Sequence, residues 1–289
     1  MKRLTSILLV LLMVLSLVAC SGEGGGSDSG KDSGKVSAKS VTMADLCGEW
    51  VREDNGWPMT ITQDTVKKLD SKNGRSGSSS ESRNYRVENG SLVSGYEPNI
   101  EEYKIVIEDG KVTRLEGDTY SYVPMERPQV NMGETLGDNG IADVTITGIN
   151  YARMLGAETY APAESGSGWV TDDGMLFMEI TYTVKNTYTN VFEIPGGVQM
   201  TINYGDGYQF GTEEGKYCYY REINGTGHYT RSDSSGKGDS MELSPLTEGE
   251  YAVYIPVAEV LATDTETPMT IDITLESETS FAYGSVKVR

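Results

Sequence analysis

The sequence has few of the residues on which metal sites, acid–base catalysis and nucleic-acid binding depend. Its 289 residues include one histidine and three cysteines, and 24 lysines and arginines stand against 43 aspartates and glutamates, for a net charge of −19. A surface this acidic repels phosphate backbones and anionic headgroups. Tetrahedral zinc sites need several cysteine and histidine ligands. We therefore exclude nucleic acid as a partner and expect no metal or other cofactor.

Long hydrophobic runs are also scarce. The longest covers residues 7–17, follows Lys2 and Arg3, and is shorter than the roughly 20 residues that a membrane-spanning helix needs. A basic start before a short apolar run is typical of a signal peptide, here residues 1–19. The mature protein is then exported.

The signal peptide ends in Leu17-Val18-Ala19-Cys20-Ser21, which resembles the lipobox of bacterial lipoproteins. The resemblance implies that Cys20 becomes the new N-terminus, carries a diacylglyceryl thioether (palmitate being a typical acyl group) and holds the protein on the outer face of the cell membrane. Two acyl chains give stable anchoring, whereas one binds only marginally. The alternative is an ordinary secretory signal in which Cys20 is incidental. Residues 20–40 are rich in glycine and serine and predict a flexible tether with a reach of about 25 Å.

Residues 41–125 predict a small antiparallel β-domain, because short strand-like pieces alternate with turn residues. Asp109-Gly110 supplies the two positive-φ positions of a type I′ hairpin in which Glu108 lies opposite Lys111, and Asn89-Gly90 marks a second hairpin. A meander of about six strands favours a small barrel or a strongly curved sheet.

Gly48-Glu49-Trp50 in this domain resembles the G-x-W start of lipocalin-like domains. The resemblance implies that Trp50 packs across the closed end of a barrel. A small apolar ligand in the barrel mouth is one alternative. The other, which we favour for so small a domain, is an interior filled by its own side chains.

Residues 127–289 predict a β-sandwich, because apolar residues alternate with polar ones along several segments. The clearest series has five members on one face of a strand: Leu176, Met178, Ile180, Tyr182 and Val184. Alternation of this kind is typical of antiparallel strands with one buried face. About seven such strands suit an immunoglobulin-like sandwich, so the predicted fold class is all-β throughout.

Three elements of this region resemble the immunoglobulin-like domains of unknown function found in Gram-positive lipoproteins. They are Gly133-Glu134-Thr135 with the strand at 144–149, the strand that ends in Val184-Lys185-Asn186, and the late element Leu246-Thr247-Glu248-Gly249-Glu250. The resemblance covers roughly the last 160 residues. It implies a sandwich fold and a surface location, but it brings no established activity or site.

Candidate catalytic and metal-binding residues are few. His228 has Ser232 and Asp233 nearby, but its glycine-rich surroundings favour an exposed loop over a catalytic triad. Asp138-Asn139-Gly140, Asp172-Asp173-Gly174 and Asp206-Gly207 lack the spacing of a twelve-residue calcium loop and are better interpreted as turns. We predict no catalytic residue.

Cysteine and tyrosine leave two questions open. Cys47 and Cys218 could form a disulfide or remain two buried thiols, and we favour the thiols. Tyrosine outnumbers phenylalanine 18 to 4, and one group of tyrosines could contact a glycan or protein ligand or could serve packing, the role we favour. The group is Tyr204, Tyr208, Tyr217, Tyr219 and Tyr220.

The sequence therefore predicts a lipid-anchored extracellular binding or interaction module without enzyme activity, whose partner is an envelope protein, a peptide or a glycan. An envelope hydrolase and a structural or inhibitory envelope factor are the alternatives. The sequence does not identify the ligand.

Overall fold

The computed structural model describes residues 40–70, 78–82, 85–96, 99–153, 174–194, 196–211, 218–223, 229–232 and 241–289. Within these residues, helical structure is limited to short segments, among them the four-residue helices α1 (Met43–Leu46) and α2 (Val260–Thr263). Strands make up most of the rest, so the all-β prediction is confirmed. None of the helices in these ranges is long and apolar enough to cross a membrane.

The first nine strands form one sheet. They are β1 (Gly48–Arg52), β2 (Pro58–Ile61), β3 (Val66–Asp70), β4 (Ser78–Ser82), β5 (Tyr85–Glu88), β6 (Ser91–Tyr96), β7 (Asn99–Glu108), β8 (Lys111–Gly117) and β9 (Ser121–Pro124). Their order is β4-β3-β2-β1-β9-β8-β7-β6-β5, which places β1 in the interior of the sheet. Trp50 of β1 is buried. Its packing across the closed end of a lipocalin-like barrel stays a prediction.

The two edges of this sheet, β4 and β5, are neighbours in sequence and are separated by only two residues. Two intervening residues can bridge about 11 Å at most. The sheet must therefore curve until its edges approach each other, and it is nearly closed. This arrangement confirms the predicted barrel or curved sheet.

Both predicted hairpins are present. Asp109 and Gly110 have φ values of 50° and 78°, and the turn pairs Glu108 with Lys111. Asn89 and Gly90 have φ values of 53° and 86° and connect β5 to β6. Positive φ at both central positions matches the right-handed twist of the strands, which is why so local a signal predicts the register correctly.

The remaining strands form a sandwich. They are β10 (Gln129–Asn131), β11 (Thr135–Leu136), β12 (Ala142–Ala152), β13 (Met175–Asn186), β14 (Phe192–Ile194), β15 (Val198–Tyr204), β16 (Tyr208–Gly211), β17 (Cys218–Glu222), β18 (Tyr229–Ser232), β19 (Met241–Leu243), β20 (Glu248–Ala258), β21 (Met269–Glu276) and β22 (Phe281–Lys287). One sheet has the order β10-β22-β21-β15-β16 and the other β11-β12-β13-β20-β17-β18, while β14 and β19 form a separate pair. β10 runs parallel to β22.

The core of the sandwich follows the predicted alternation. Met178, Ile180, Tyr182 and Val184 of β13 are buried in one cluster with inward residues of β15 and β21 from the facing sheet. Alternation predicts polar, exposed side chains at the intervening positions of the six-stranded sheet, yet some of these are buried as well. Phe177, Tyr219, Ala252 and Tyr254 form a smaller cluster on the opposite face of that sheet.

The chain divides into two compact units. The first consists of the described parts of 1–48, 60–67 and 81–121. The second consists of the described parts of 49–59, 68–80 and 122–289. The boundaries predicted from sequence, 41–125 and 127–289, stay a prediction. In the second unit, the Phe281 N–H donates to the Asn55 carbonyl at 2.8 Å and the Trp57 indole N–H donates to the Thr279 carbonyl at 3.2 Å. The segment 49–59 is thereby attached to the start of β22.

Candidate functional site

Several residues singled out in the sequence lie outside the described residues. Among them are Cys20, Tyr217, His228 and Asp233. The second calcium-like motif, at 172–174, lies outside them except for Gly174. Lipidation of Cys20 and the loop position of His228 stay predictions.

The four described candidate tyrosines are not on one surface. Tyr204 and Tyr220 belong to the main sandwich core, and Tyr219 lies in the small cluster on the opposite face of the sheet. Adjacent residues of a strand point to opposite faces, which separates Tyr219 from Tyr220. Tyr208 is 67% exposed. A role in ligand contact stays a prediction, and Tyr208 is the one of the four whose ring is available in this conformation.

Tyr204 has a packing environment that accounts for its position. Its hydroxyl donates to the Asp264 carboxylate, and the Arg289 guanidinium lies 5.8 Å from the centre of its ring. Hydrogen bonds from the Thr267 hydroxyl, the Tyr204 hydroxyl and the Glu266 and Thr267 backbone N–H groups hold the pKa of Asp264 well below its usual range. The same contact with Asp264 raises the pKa of Tyr204. These residues fasten α2 to β15.

Neither Cys47 nor Cys218 forms a disulfide. Cys218 is buried, with its Sγ 3.5 Å from the Gly211 carbonyl oxygen. The expectation of two buried thiols is wrong for Cys47, which is exposed at the end of α1. Leu46 is the buried residue of α1, and Cys47, which follows it, is exposed.

Two acidic motifs form turns. Asp138 and Gly140 have positive φ values, and the Asn139 side-chain oxygen accepts the backbone N–H groups of Ile141 and Ala142. Gly207, after Asp206, has a φ of 111°. Across the described ranges, no three histidine, cysteine, aspartate or glutamate side chains are grouped so that they could hold a metal ion.

The candidate site is a solvent-open depression of about 470 Å³ in the second unit. We call it the acidic depression. Its lining residues are Thr189, Asn190, Val191, Glu193, Glu242, Pro245 and Glu278. None of them was a candidate on the basis of the sequence.

The strand pair β14–β19 places two carboxylates in the acidic depression. Phe192, Ile194 and Leu243 are buried, so the residues between them alternate outwards. Glu193 and Glu242 are directly opposite each other in the antiparallel register.

A buried asparagine holds the rim of the acidic depression. The Asn186 side-chain NH₂ donates to the carbonyl oxygens of Asn190 at 2.8 Å and Leu243 at 2.9 Å, and its Oδ1 accepts the Tyr188 N–H at 2.9 Å. The Leu246 N–H donates to the backbone carbonyl of Asn186. Asn186 therefore ties the loop after β13 to the loop after β19, which joins two of the elements that carry the family resemblance.

The lining also includes an exposed apolar side chain, that of Val191, which is 44% exposed. Leu246 follows Pro245 in the chain, is not itself a lining residue, and is 78% exposed. Leu246 has a φ of +61°. A left-handed conformation is costly for a leucine, so the loop displays a large apolar side chain to solvent from an unfavourable backbone.

Among the described residues, neither Glu242 nor Glu278 has an ion-pair partner. Glu278 accepts a hydrogen bond from the Asn190 side chain at 3.2 Å. Ion pairs elsewhere use other acids, such as Asp54 with Arg52 and Glu259 with Arg153. The acidic depression therefore offers negative charge and apolar surface together.

Comparisons with known proteins give limited similarity. The sequence matches no protein-family model and no curated protein. Among solved structures, an uncharacterized β-sandwich protein from Clostridium difficile 630 is similar, with a TM-score of 0.38 and 14% identity over 57% of this chain and 95% of that one. A "putative lipoprotein (ycdA)" from Bacillus subtilis strain 168 has a TM-score of 0.31 and 14% identity over 55% of this chain and 39% of that one. Similarities of this size carry no function over to this chain.

Proposed function

We propose that this chain is a lipid-anchored, non-enzymatic binding protein on the outer face of the cell membrane. The observation that carries the binding role is the acidic depression, a ligand-sized concavity that combines exposed apolar side chains with three carboxylates. The signal peptide, the Cys20 lipobox and the tether support the location.

The chemistry of the acidic depression is compatible with recognition. Its lining consists of threonine, asparagine, valine, proline and glutamate side chains. Such groups accept or donate hydrogen bonds and attract positive charge. The tether would place this surface beyond the membrane, where envelope proteins, peptides and wall glycans are within reach.

Anchoring is tested by expressing the full chain and a Cys20→Ser variant in a Gram-positive host fed with labelled palmitate. We expect label in the wild-type chain and none in the variant, because the lipid is attached through the Cys20 sulfur. Cys47→Ser is the matched control and should keep the label, because Cys47 lies at the end of α1 in the folded part. Equal labelling of the Cys20→Ser chain, or an unlabelled wild type, would refute the anchor.

Binding is tested with the lipidated full chain in phosphatidylcholine nanodiscs. Co-sedimentation with purified peptidoglycan sacculi and titration with envelope peptides measure the two partner classes, with empty nanodiscs as the blank. Saturable binding to either supports the proposal. Failure with every envelope component would contradict it.

A further inference from the structure

We infer that Asn89, in the turn between β5 and β6, is a site of spontaneous deamidation through a cyclic imide. The inference is independent of the proposed function. Asparagine followed by glycine is a chemically labile pair, because glycine has no side chain to keep its backbone nitrogen away from the asparagine amide. The chain has five such pairs. Three lie within the described residues, namely Asn55-Gly56, Asn89-Gly90 and Asn139-Gly140.

The reaction needs no reactant besides water. The Gly90 backbone nitrogen loses its proton to the solvent and attacks the side-chain carbonyl carbon of Asn89. A carbon–nitrogen bond forms there, the bond from that carbon to the amide nitrogen breaks, and the amide takes up a proton and leaves as ammonia. Water then opens the ring at either of its two carbonyl groups. One opening gives aspartate, and the other gives isoaspartate, in which the backbone runs through the side-chain carbonyl.

At Asn89 both reacting groups are available. The Asn89 side chain is exposed, and within the described part of the chain neither this side chain nor the Gly90 N–H makes a hydrogen bond. β5 is an edge strand whose neighbour in the sheet order is β6 alone. Local opening of this hairpin therefore breaks a single ladder, and segments of low local stability open most often.

At Asn139 the side chain is held by three hydrogen bonds. Its Oδ1 accepts the N–H groups of Ile141 and Ala142 at 2.9 and 3.0 Å, and its NH₂ donates to the Ala142 carbonyl at 2.9 Å. Ile141 and Ala142 belong to the sandwich core. The Asn139 side chain cannot turn towards the Gly140 nitrogen until this part of the core opens, so we expect the pair to be protected.

At Asn55 the attacking nitrogen is itself occupied. The Gly56 N–H donates to the Arg52 carbonyl at 2.8 Å, and the Asn55 Oδ1 accepts the Trp57 N–H at 3.1 Å. Both groups would have to be released before they could react. Among the three described pairs, the structure therefore assigns the fastest reaction to Asn89.

The test ages the purified full chain at mildly alkaline pH, once folded and once unfolded in guanidinium chloride. Peptide mapping by mass spectrometry measures the gain of about one dalton that accompanies loss of the amide, and electron-transfer fragmentation distinguishes isoaspartate from aspartate. In the folded chain, Asn89 should react at least about tenfold faster than Asn55 and Asn139. In the unfolded chain the three should react at similar rates, because each is followed by glycine.

A second readout is the effect of isoaspartate on the turn. The Gly90 carbonyl accepts the Ile105 N–H at 3.0 Å. Isoaspartate adds a carbon atom to the backbone beside this bond, so the Ile105 amide should exchange with solvent at least about tenfold faster in the aged chain. Asn89→Asp is the matched control, because aspartate adds the same charge on an unaltered backbone and tolerates a positive φ. Its Ile105 amide should exchange within about twofold of the fresh wild type.

The inference fails if Asn89 stays intact in the folded chain while it reacts in the unfolded one. It also fails if Asn55 or Asn139 reacts as fast as Asn89 in the folded chain. Aspartate without any isoaspartate would refute the cyclic imide, because direct hydrolysis of the side chain gives aspartate alone. Unaltered exchange of the Ile105 amide in a chain with isoaspartate at position 89 would refute the predicted loosening of the turn.

Discussion

The Tyr182 hydroxyl is buried in the sandwich core without a hydrogen-bond partner among the described residues. Burial raises the pKa of Tyr182 well above its usual value, with further contributions from Tyr220 and Tyr251. An unpartnered buried hydroxyl costs about 1–3 kcal/mol. The Tyr182 ring fills space in the core, but its hydroxyl lowers the stability of the folded state.

We predict that Tyr182→Phe stabilises the protein by about 1 kcal/mol, because the variant removes the unpartnered hydroxyl and keeps the ring. Chemical denaturation followed by circular dichroism measures the change. Tyr254→Phe is the matched control in the neighbouring strand β20. The Tyr254 hydroxyl donates to Glu179 at 2.6 Å, so this control should lose about 1 kcal/mol. A loss of stability in Tyr182→Phe would mean that the hydroxyl has a partner in solution.

Asp264 connects α2 to β15, and its protonation state determines the strength of that connection. Its pKa is depressed in the folded state, so its contribution to stability is complete above the unfolded pKa of about 4 and is lost as the pH falls below that value. We predict that Tyr204→Phe lowers stability at neutral pH and that this deficit shrinks below about pH 4.

Thermal unfolding of Tyr204→Phe and the wild type over a pH series checks this dependence. Tyr208→Phe is the control, because Tyr208 lies opposite Tyr204 in the β15–β16 hairpin and is exposed. This control should follow the wild type at every pH. If Tyr204→Phe loses the same stability at every pH, the hydrogen bond to Asp264 does not account for the loss.

At the scale of elements, the attachment of segment 49–59 to β22 depends on a glycine. Gly56 has a φ of +73°, and a Cβ there would lie 2.1 Å from the Phe281 carbonyl oxygen. That separation is far inside van der Waals contact, so the segment 49–59 and β22 would have to move apart. A side chain at this position has both a backbone cost and a steric cost.

We predict that Gly56→Ala lowers the free energy of unfolding by about 3 kcal/mol or more. Gly140→Ala separates the two costs, because Gly140 has a φ of +72° and a Cβ added there would have no described atom within 4 Å. This control should lose about 1 kcal/mol. Equal losses in the two variants, measured by denaturant titration, would show that the segment is not packed against Phe281.

Local sequence patterns predicted hairpins and strands correctly. The residues that line the acidic depression could not be predicted, because strands distant in sequence bring them together. The Asp109-Gly110 turn and the alternation along β13 are encoded by neighbouring residues, so they could be predicted. Glu193, Glu242 and Glu278 come together only because β14 pairs with β19 and both lie near the turn before β22. No spacing in the sequence indicates that pairing.

The surroundings of the candidate tyrosines also depend on the tertiary fold. Tyr204, Tyr208, Tyr219 and Tyr220 are close in sequence, and their side chains suit ligand contact as a residue type. Strand pairing decides how they are distributed between the core, the opposite face of the sheet and the exposed start of β16. The parallel direction of β10 beside β22 was not predicted, because alternation indicates antiparallel strands and the three residues of β10 are too few to show a pattern of their own.

For the whole molecule, the net charge of −19 dominates long-range electrostatics. Excess charge of one sign destabilises a compact state through self-repulsion. We predict that sodium chloride raises the thermal midpoint of unfolding, because added ions screen this repulsion. Differential scanning calorimetry with a non-electrolyte at equal osmolality as the control measures the effect. A midpoint that is constant or falls with salt would indicate that the attractive ion pairs outweigh the repulsion.

The interior position of β1 has a mechanical consequence for an anchored protein. If the membrane holds the chain at Cys20, a force on the folded part enters the nine-stranded sheet through β1, the first strand after the tether. An edge strand would peel away from a single neighbour, one hydrogen bond after another. β1 is hydrogen-bonded to both β2 and β9, so pulling it out requires two ladders to rupture together.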